Sequence, residues 1–405
     1  MRKQIRTAPL RNGRAMSDGF VPRLERLEVR EVPANFTVDD SGGADFLRIQ
    51  DAVDAAALTK GPDQIRVFPG TYTEQVTVAG SKLDGLTLRS VKPLQAVIQA
   101  PPTTSATGTA KYASIVRITD AEKVTLDGFT ITGPSKTLEV GVYVDSDASA
   151  TIRDNRITDI RPLAALGGDQ IGIGILAESE SEVKIFKNTI EKYQKGGIVI
   201  FDKGSFADVS QNTITGSGPT TVIAQNGVQV NYGASAKIFQ NRITDNSYAV
   251  PDVGTNVTDA AGIIVGGPIY PGDFDIRAGA VSVSQNELFR NEVGVLAENQ
   301  TAPLSISHND IRNSDKDGIA LYGVVGAEVS HNKVSGSRET GLRVSKQSTI
   351  VSPSNVQSQG NYIFNNVFVG SGAVDIFDDT VGTGTGGTAN VYKNNRYATS
   401  NRTVD

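Results

Sequence analysis

Between residues 149 and 397 the chain writes one short phrase nine times: an apolar residue, two variable positions, asparagine, a variable position and another apolar residue. It reads "TIRDNRI", "KIFKNTI", "DVSQNTI", "KIFQNRI", "SVSQNEL", "SISHNDI", "EVSHNKV", "YIFNNVF" and "VYKNNRY". The asparagines are Asn155, Asn188, Asn212, Asn241, Asn286, Asn309, Asn332, Asn366 and Asn395. Their spacings are 33, 24, 29, 45, 23, 23, 34 and 29 residues, so the unit is 23 residues and longer gaps carry insertions. Self-similarity at such a period marks a solenoid, in which each unit buries its apolar face only by stacking on its neighbours.

After each asparagine come a short strand, a variable turn and a Gly-led strand: "GIVIF", "GVQVN", "GIIVG", "GVLAE", "GIALY", "GLRVS". Each alternates with period two, as a strand with one buried face must. Three short strands per unit at these spacings do not close as hairpins. They form one rung of a coil in which every strand pairs in parallel with its copy about 4.8 Å away. An all-β coil of about twelve rungs follows, with three strands per rung. The 42 glycines and the absence of tryptophan suit short strands broken by tight turns.

Stacked rungs place each Asn amide beside the next, so the column is read as an internal ladder that satisfies buried turn backbone. The earlier rung "VTLDGFTI" sets Gly128 in the same slot, which predicts left-handed backbone there. The residues just before the ladder are Asp154, Lys187, Gln211, Gln240, Gln285, His308, His331, Asn365 and Asn394, a polar and outward column. His308 and His331 are neighbours in it, predicted to be surface residues rather than ligands or catalysts.

The pattern resembles the right-handed parallel β-helix repeat of the pectate-lyase-like superfamily, over roughly residues 64–398. The resemblance implies a right-handed, single-stranded β-helix with an N-terminal amphipathic capping helix. "DFLRIQDAVDAAALTK" supplies that helix, with Phe46, Ile49, Val53 and Ala56 on one face. "IRVFPGTYTEQVTV" follows as the first rung, and the pair is similar to the start of pectin methylesterases. The predicted organisation is a basic, poorly ordered tail over 1–35, a cap over 36–63 and the β-helix over 64–405. Within the tail, "PRLERLEVREVPANFTV" resembles a segment of planctomycete exported proteins, which implies an envelope or extracellular location.

The net charge is −5; residues 1–35 carry eight Lys/Arg and four Asp/Glu, +4, which leaves −9 for the body. An acidic body argues against nucleic acid as partner. No apolar run approaches the about 18 residues of a membrane span. With no cysteine, disulfides, thiol chemistry and Cys-ligated zinc are excluded. Oligomeric state is open.

For chemistry, the superfamily resemblance implies polysaccharide as partner, along the outward side of the Gly-led strands. There is no Gly-His-Gly of the galacturonan hydrolases. For a lyase or epimerase acting on an acidic glycan, the candidates are Arg343 and Lys346 in "GLRVSK" with Asp375 in "AVDIFDD", Arg343 and Asp375 being expected in one outward column; a surface ion pair is the plain alternative. Calcium would find Asp252, Asp259, Asp273 and Asp275 in the longest insertions, although loop carboxylates also cap their own backbone. Phe201, Asn231, Tyr322 and Phe377 form a second outward column, whose rings and amide suit stacking on sugars. The reading is a β-helix protein that binds or structures polysaccharide, with the lyase or epimerase as alternative.

Overall fold

The computed structural model describes residues 33–164, 167–250, 259–267, 276–345 and 357–404. Three parallel sheets of 13, 11 and 11 strands run the length of the coil, each strand beside its copies in the rungs above and below. The first sheet carries the strands that precede the asparagines, the second those that follow them, and the third the Gly-led strands. Register keeps like on like: Ile152 lies against Ile185 and Ile185 against Val209 in the first sheet, Val142 against Ile175 and Ile175 against Ile198 in the third. A one-residue slip would turn every apolar side chain out of the core, so the pattern locks the stack.

All nine asparagines are buried. Asn309 is representative: its backbone N and Nδ2 donate to Asn332 Oδ1 at 3.0 and 2.9 Å, and Nδ2 also reaches Val283 O at 3.0 Å. The left-handed residue is the one before the asparagine: Asp154, Lys187, Gln211, Gln240, Gln285, His308, His331, Asn365 and Asn394 all have φ between 54° and 57°. Gly128 belongs to that column, at φ 80°, and not to the ladder. The ladder slot of its rung is held by Phe129, whose backbone N donates to Asn155 Oδ1 at 2.8 Å. His308 and His331 stack at 4.8 Å with planes 4° apart, as neighbours in the turn column do.

The leading glycine of the third sheet has a steric cause. A Cβ on Gly174, Gly197 or Gly227 would lie 2.5–2.6 Å from the carbonyl oxygen of the next rung's glycine. Only a residue without a side chain lets the backbones approach that closely at the inner corner.

At the N-terminal end the helix spans Ile49–Ala56 and buries Ile49, Ala52, Val53 and Ala56. Phe46 lies outside it, in a bridge with Val38 and edge-on to Phe36 at 5.8 Å. Glu74 of the first rung, the "E" of the "GTYTEQ" stretch, accepts hydrogen bonds from Ile49 N and Gln50 N at 2.9 and 3.0 Å, so the rung supplies the cap the helix lacks in its own sequence. A strand at Asn35–Val38 precedes the helix and pairs with Gln64–Val67, which extends the first sheet beyond the cap. At the other end the Gly/Thr segment after Thr380 is tethered: Asp378 accepts from Thr380 N, Asn390 Nδ2 and Tyr392 Oη at 2.8, 3.1 and 2.7 Å.

Candidate functional site

Two columns of side chains project outward from the third sheet. The one two residues after the leading glycine runs Tyr143, Leu176, Val199, Gln229, Ile264, Leu296, Ala320, Arg343 and Phe377. The one four residues after it follows from the same register as Asp145, Glu178, Phe201, Asn231, Gly266, Glu298, Tyr322 and Ser345. Phe201, Asn231 and Tyr322 therefore share a column as expected, whereas Phe377 sits beside Arg343, its ring centroid 5.1 Å from the guanidinium carbon.

Asp375 does not share Arg343's column. It occupies the corner that glycine holds in earlier rungs, opposite Gly341. No later strand of that sheet crowds it, so a side chain fits. Its buried carboxylate accepts Ser371 N, Ala398 N and Thr399 N at 3.1, 2.8 and 3.2 Å and closes the end of the coil. Lys346, Asp252, Asp273 and Asp275 lie outside the described residues. Asp259 is paired with Lys316 at 2.5 Å.

Arg343 donates through Nε to Asp317 Oδ2 at 2.6 Å and through Nη2 to Glu339 Oε2 at 3.0 Å. Burial works to lower its pKa, but the hydrogen bonds and charge of Asp317 prevail and hold it above the ordinary value. A guanidinium so paired donates hydrogen bonds and does not take up a proton. Lys316 has the same balance: burial opposes its charge, while Asp259 and Glu292 together hold the ammonium protonated. Glu292 also accepts Tyr248 N and Ala260 N at 2.9 and 3.0 Å. Lys316, Glu292 and Arg343's partner Glu339 border a cleft of about 430 Å³, lined also by Ser247, Tyr248, Asp315 and Arg338. Next to Tyr322, Glu298 is buried, and its carboxyl is pushed up to about 8 by burial and then by the charge of Asp259.

A second constellation occupies the N-terminal half of the same face. Arg117 pairs with Asp145 through Nε and Nη2 at 3.0 and 2.7 Å, both side chains buried. Tyr143 Oη donates to Glu178 Oε1 at 2.6 Å, and Lys111 Nζ lies 4.0 Å from Glu178 Oε2. Phe201 meets Tyr232 edge-on at 5.3 Å, and Tyr112 meets Tyr143 at 5.7 Å. The sequence held a signal for this cluster: in "GVYVD" and "GILAE" an acid, Asp145 and Glu178, stands four residues after the leading glycine.

Residues 109–267 match a family model described as right-handed β-helix region, and residues 272–401 match one described as periplasmic copper-binding protein (NosD). The chain is a right-handed parallel β-helix. This β-helix is similar to the A-module of a mannuronan C-5 epimerase from Azotobacter vinelandii, at 14% identity and TM-score 0.57, over 87% of this chain and 93% of that one. It is similar also to an α-1,3-glucanase catalytic unit from Streptomyces thermodiastaticus, at 14% identity, TM-score 0.59, over 88% and 66%. An alginate lyase from Paenibacillus shares 17% identity at TM-score 0.51, over 74% and 94%. No curated protein matches the chain.

The copper in the second family's name does not fit the residues present. His308 and His331 are the chain's two histidines, and its two methionines, Met1 and Met16, lie far from residues 272–401 in sequence. Rings stacked 4° from parallel direct their lone pairs into separate planes, which do not converge on one ion. Among the described residues no group of three or more His, Asp or Glu is placed to hold a metal. Of the four calcium candidates Asp259 is among the described residues, where it pairs with Lys316, and Asp252, Asp273 and Asp275 lie outside them. No helix among the described residues is long and apolar enough to cross a membrane.

Proposed function

We propose that this β-helix binds polysaccharide at the cell envelope or outside the cell, with the glycan lying across the outward face of the Gly-led sheet. The observation that carries the reading is the cleft beside Arg343, where Tyr248, Ser247 and five charged side chains line about 430 Å³ at the loop edge of that face. One aromatic plate with many hydrogen-bonding groups is the chemistry a sugar surface requires. The periplasmic description of the family matched by residues 272–401 supports the location. The test is binding of the purified protein to a panel of neutral and acidic glycans, with Tyr248→Ala expected to weaken it about tenfold. Absence of binding across the panel overturns the proposal.

A second reading, a lyase or epimerase acting on an acidic glycan, draws support from Tyr322. Its ring stands one strand from the Glu298 carboxyl, which burial brings to about 8, within reach of neutral pH. In this reading the Glu298 carboxylate takes the proton from C5 of a uronate and the Tyr322 hydroxyl gives one back, either to C5 from the opposite face, which inverts that centre, or to O4 as the C4–O bond breaks and C4=C5 forms; Arg343 supplies positive charge beside them. Lys346 stays a candidate of the sequence. Unsaturated uronate or an inverted C5 centre, abolished in Tyr322→Phe, would support it; binding without turnover would leave the first reading.

A further inference from the structure

The middle of the second outward column carries two acceptors with nothing to accept. Glu178 Oε2 and Asn231 Oδ1 are buried side-chain oxygens without a hydrogen-bond partner. Register places them one strand to either side of Phe201. Buried polar atoms are almost always paired, and a carboxylate or amide oxygen can be paired only by a donor. Phe201 is half-buried over Val140, Tyr143, Ile173, Leu176 and Val199, and it meets the more exposed Tyr232 edge-on at 5.3 Å. An apolar ring flanked by two acceptors matches a pyranose, which offers an apolar face and hydroxyl donors around its rim.

Charge narrows the class. The ionisable groups around this spot are Glu178, Asp145, Asp202, Lys111 and Arg117. Arg117 is engaged by Asp145 through Nε and Nη2 and by Thr107 O through Nη1, and Lys111 stands 4.0 Å from Glu178. A uronate carboxylate here would face Glu178 and Asp202 with one shared ammonium between them. A ring without charge meets no such repulsion.

We infer that Glu178, Phe201 and Asn231 form a subsite for an uncharged sugar ring, its hydroxyls donating to Glu178 Oε2 and Asn231 Oδ1 over the Phe201 ring. This rests on the polysaccharide-binding reading above and names its substrate class: a glycan with neutral residues, held at the N-terminal half of the face.

The experiment titrates a soluble neutral β-glucan, a neutral mannan, polymannuronate and polygalacturonate against the full chain. The same titrations are run on Asn231→Leu, Glu178→Gln and Phe201→Leu, with circular dichroism melts to certify the fold of each. The expected result is binding of a neutral glycan in preference to the uronans, weakened about tenfold by each variant that melts normally. Two results overturn the subsite while leaving the binding reading intact. One is preference for a uronan. The other is neutral-glycan affinity unchanged in all folded variants, in which case buried water satisfies the two oxygens. Failure of every glycan to bind overturns both proposals together.

Discussion

Asn309→Ala removes one step of the ladder from the middle of the coil. In the intact protein Asn309 Oδ1 accepts from both Asn286 N and Asn286 Nδ2 at 3.0 Å, while Asn309 Nδ2 holds Val283 O and Asn332 Oδ1 at 3.0 and 2.9 Å. After truncation Asn286 Nδ2 retains Ile238 O at 2.9 Å, but Asn286 N–H loses its acceptor and Val283 O loses a donor. At about 1–3 kcal/mol for each of the two buried groups left unpaired, the loss is about 2–6 kcal/mol. His308→Ala is the matched control one residue away. His308 carries the left-handed φ of 56°, and its ring makes a stacking contact with His331. Its loss, with alanine less tolerant of left-handed backbone, costs about 1 kcal/mol. Urea unfolding followed by far-ultraviolet circular dichroism reads both variants against the parent, and Asn309→Ala should unfold at clearly lower denaturant. Equal midpoints for the two variants would refute the ladder's energetic role, since the interior and the turn surface would then be interchangeable.

Three further outcomes are expected. Glu74→Ala takes the acceptor from two helix N–H groups and should cost about 2–3 kcal/mol in the same assay, with light scattering rising as the uncovered first rung becomes available for edge pairing. Asp145→Asn should destabilise by about 3–5 kcal/mol because it leaves the buried Arg117 guanidinium uncompensated; a change below 1 kcal/mol would mean that water reaches the pair. Glu298 gives a pH dependence. Burial brings its folded pKa to about 8, well above the ordinary value of about 4.3 for a glutamate in the unfolded chain, so between these limits the folded state binds more protons than the unfolded one, and stability falls as pH rises through that window. The loss is on the order of 3–5 kcal/mol, and Glu298→Gln should flatten that part of the profile; a parallel profile in the variant would show that another group titrates there.

The coil, its three strands per rung and the identity of the ladder were legible in the sequence, because all three are expressed as local periodicity. A period-two strand, an asparagine at a fixed offset and a glycine at the next bend recur with every rung, whatever the insertions between them. The apolar helix before the first rung was equally visible. Its partner Glu74 was present in the motif, but the hydrogen bonds it makes span 25 and 24 residues and have no periodic trace.

What the tertiary structure decided is how each rung is phased where the pattern weakens, and which charges meet. The sequence alignment of the rungs put Asp375 beside Arg343; the last rung has Asp375 in place of the leading glycine, a corner that no later strand crowds, and Phe377 takes the place beside Arg343. Gly128 moved by one for a similar reason: glycine serves the left-handed turn residue, which any side chain there must also tolerate, and not the ladder. Arg343 was expected beside Asp375, with a surface ion pair as the plain alternative. Its partner Asp317 comes from 26 residues earlier, through a turn between strands rather than an aligned column. Repetition along the chain determines the solenoid, since identical neighbours are what each rung must pair with. The site arises where the rungs stop being identical, and only packing brings those exceptions together.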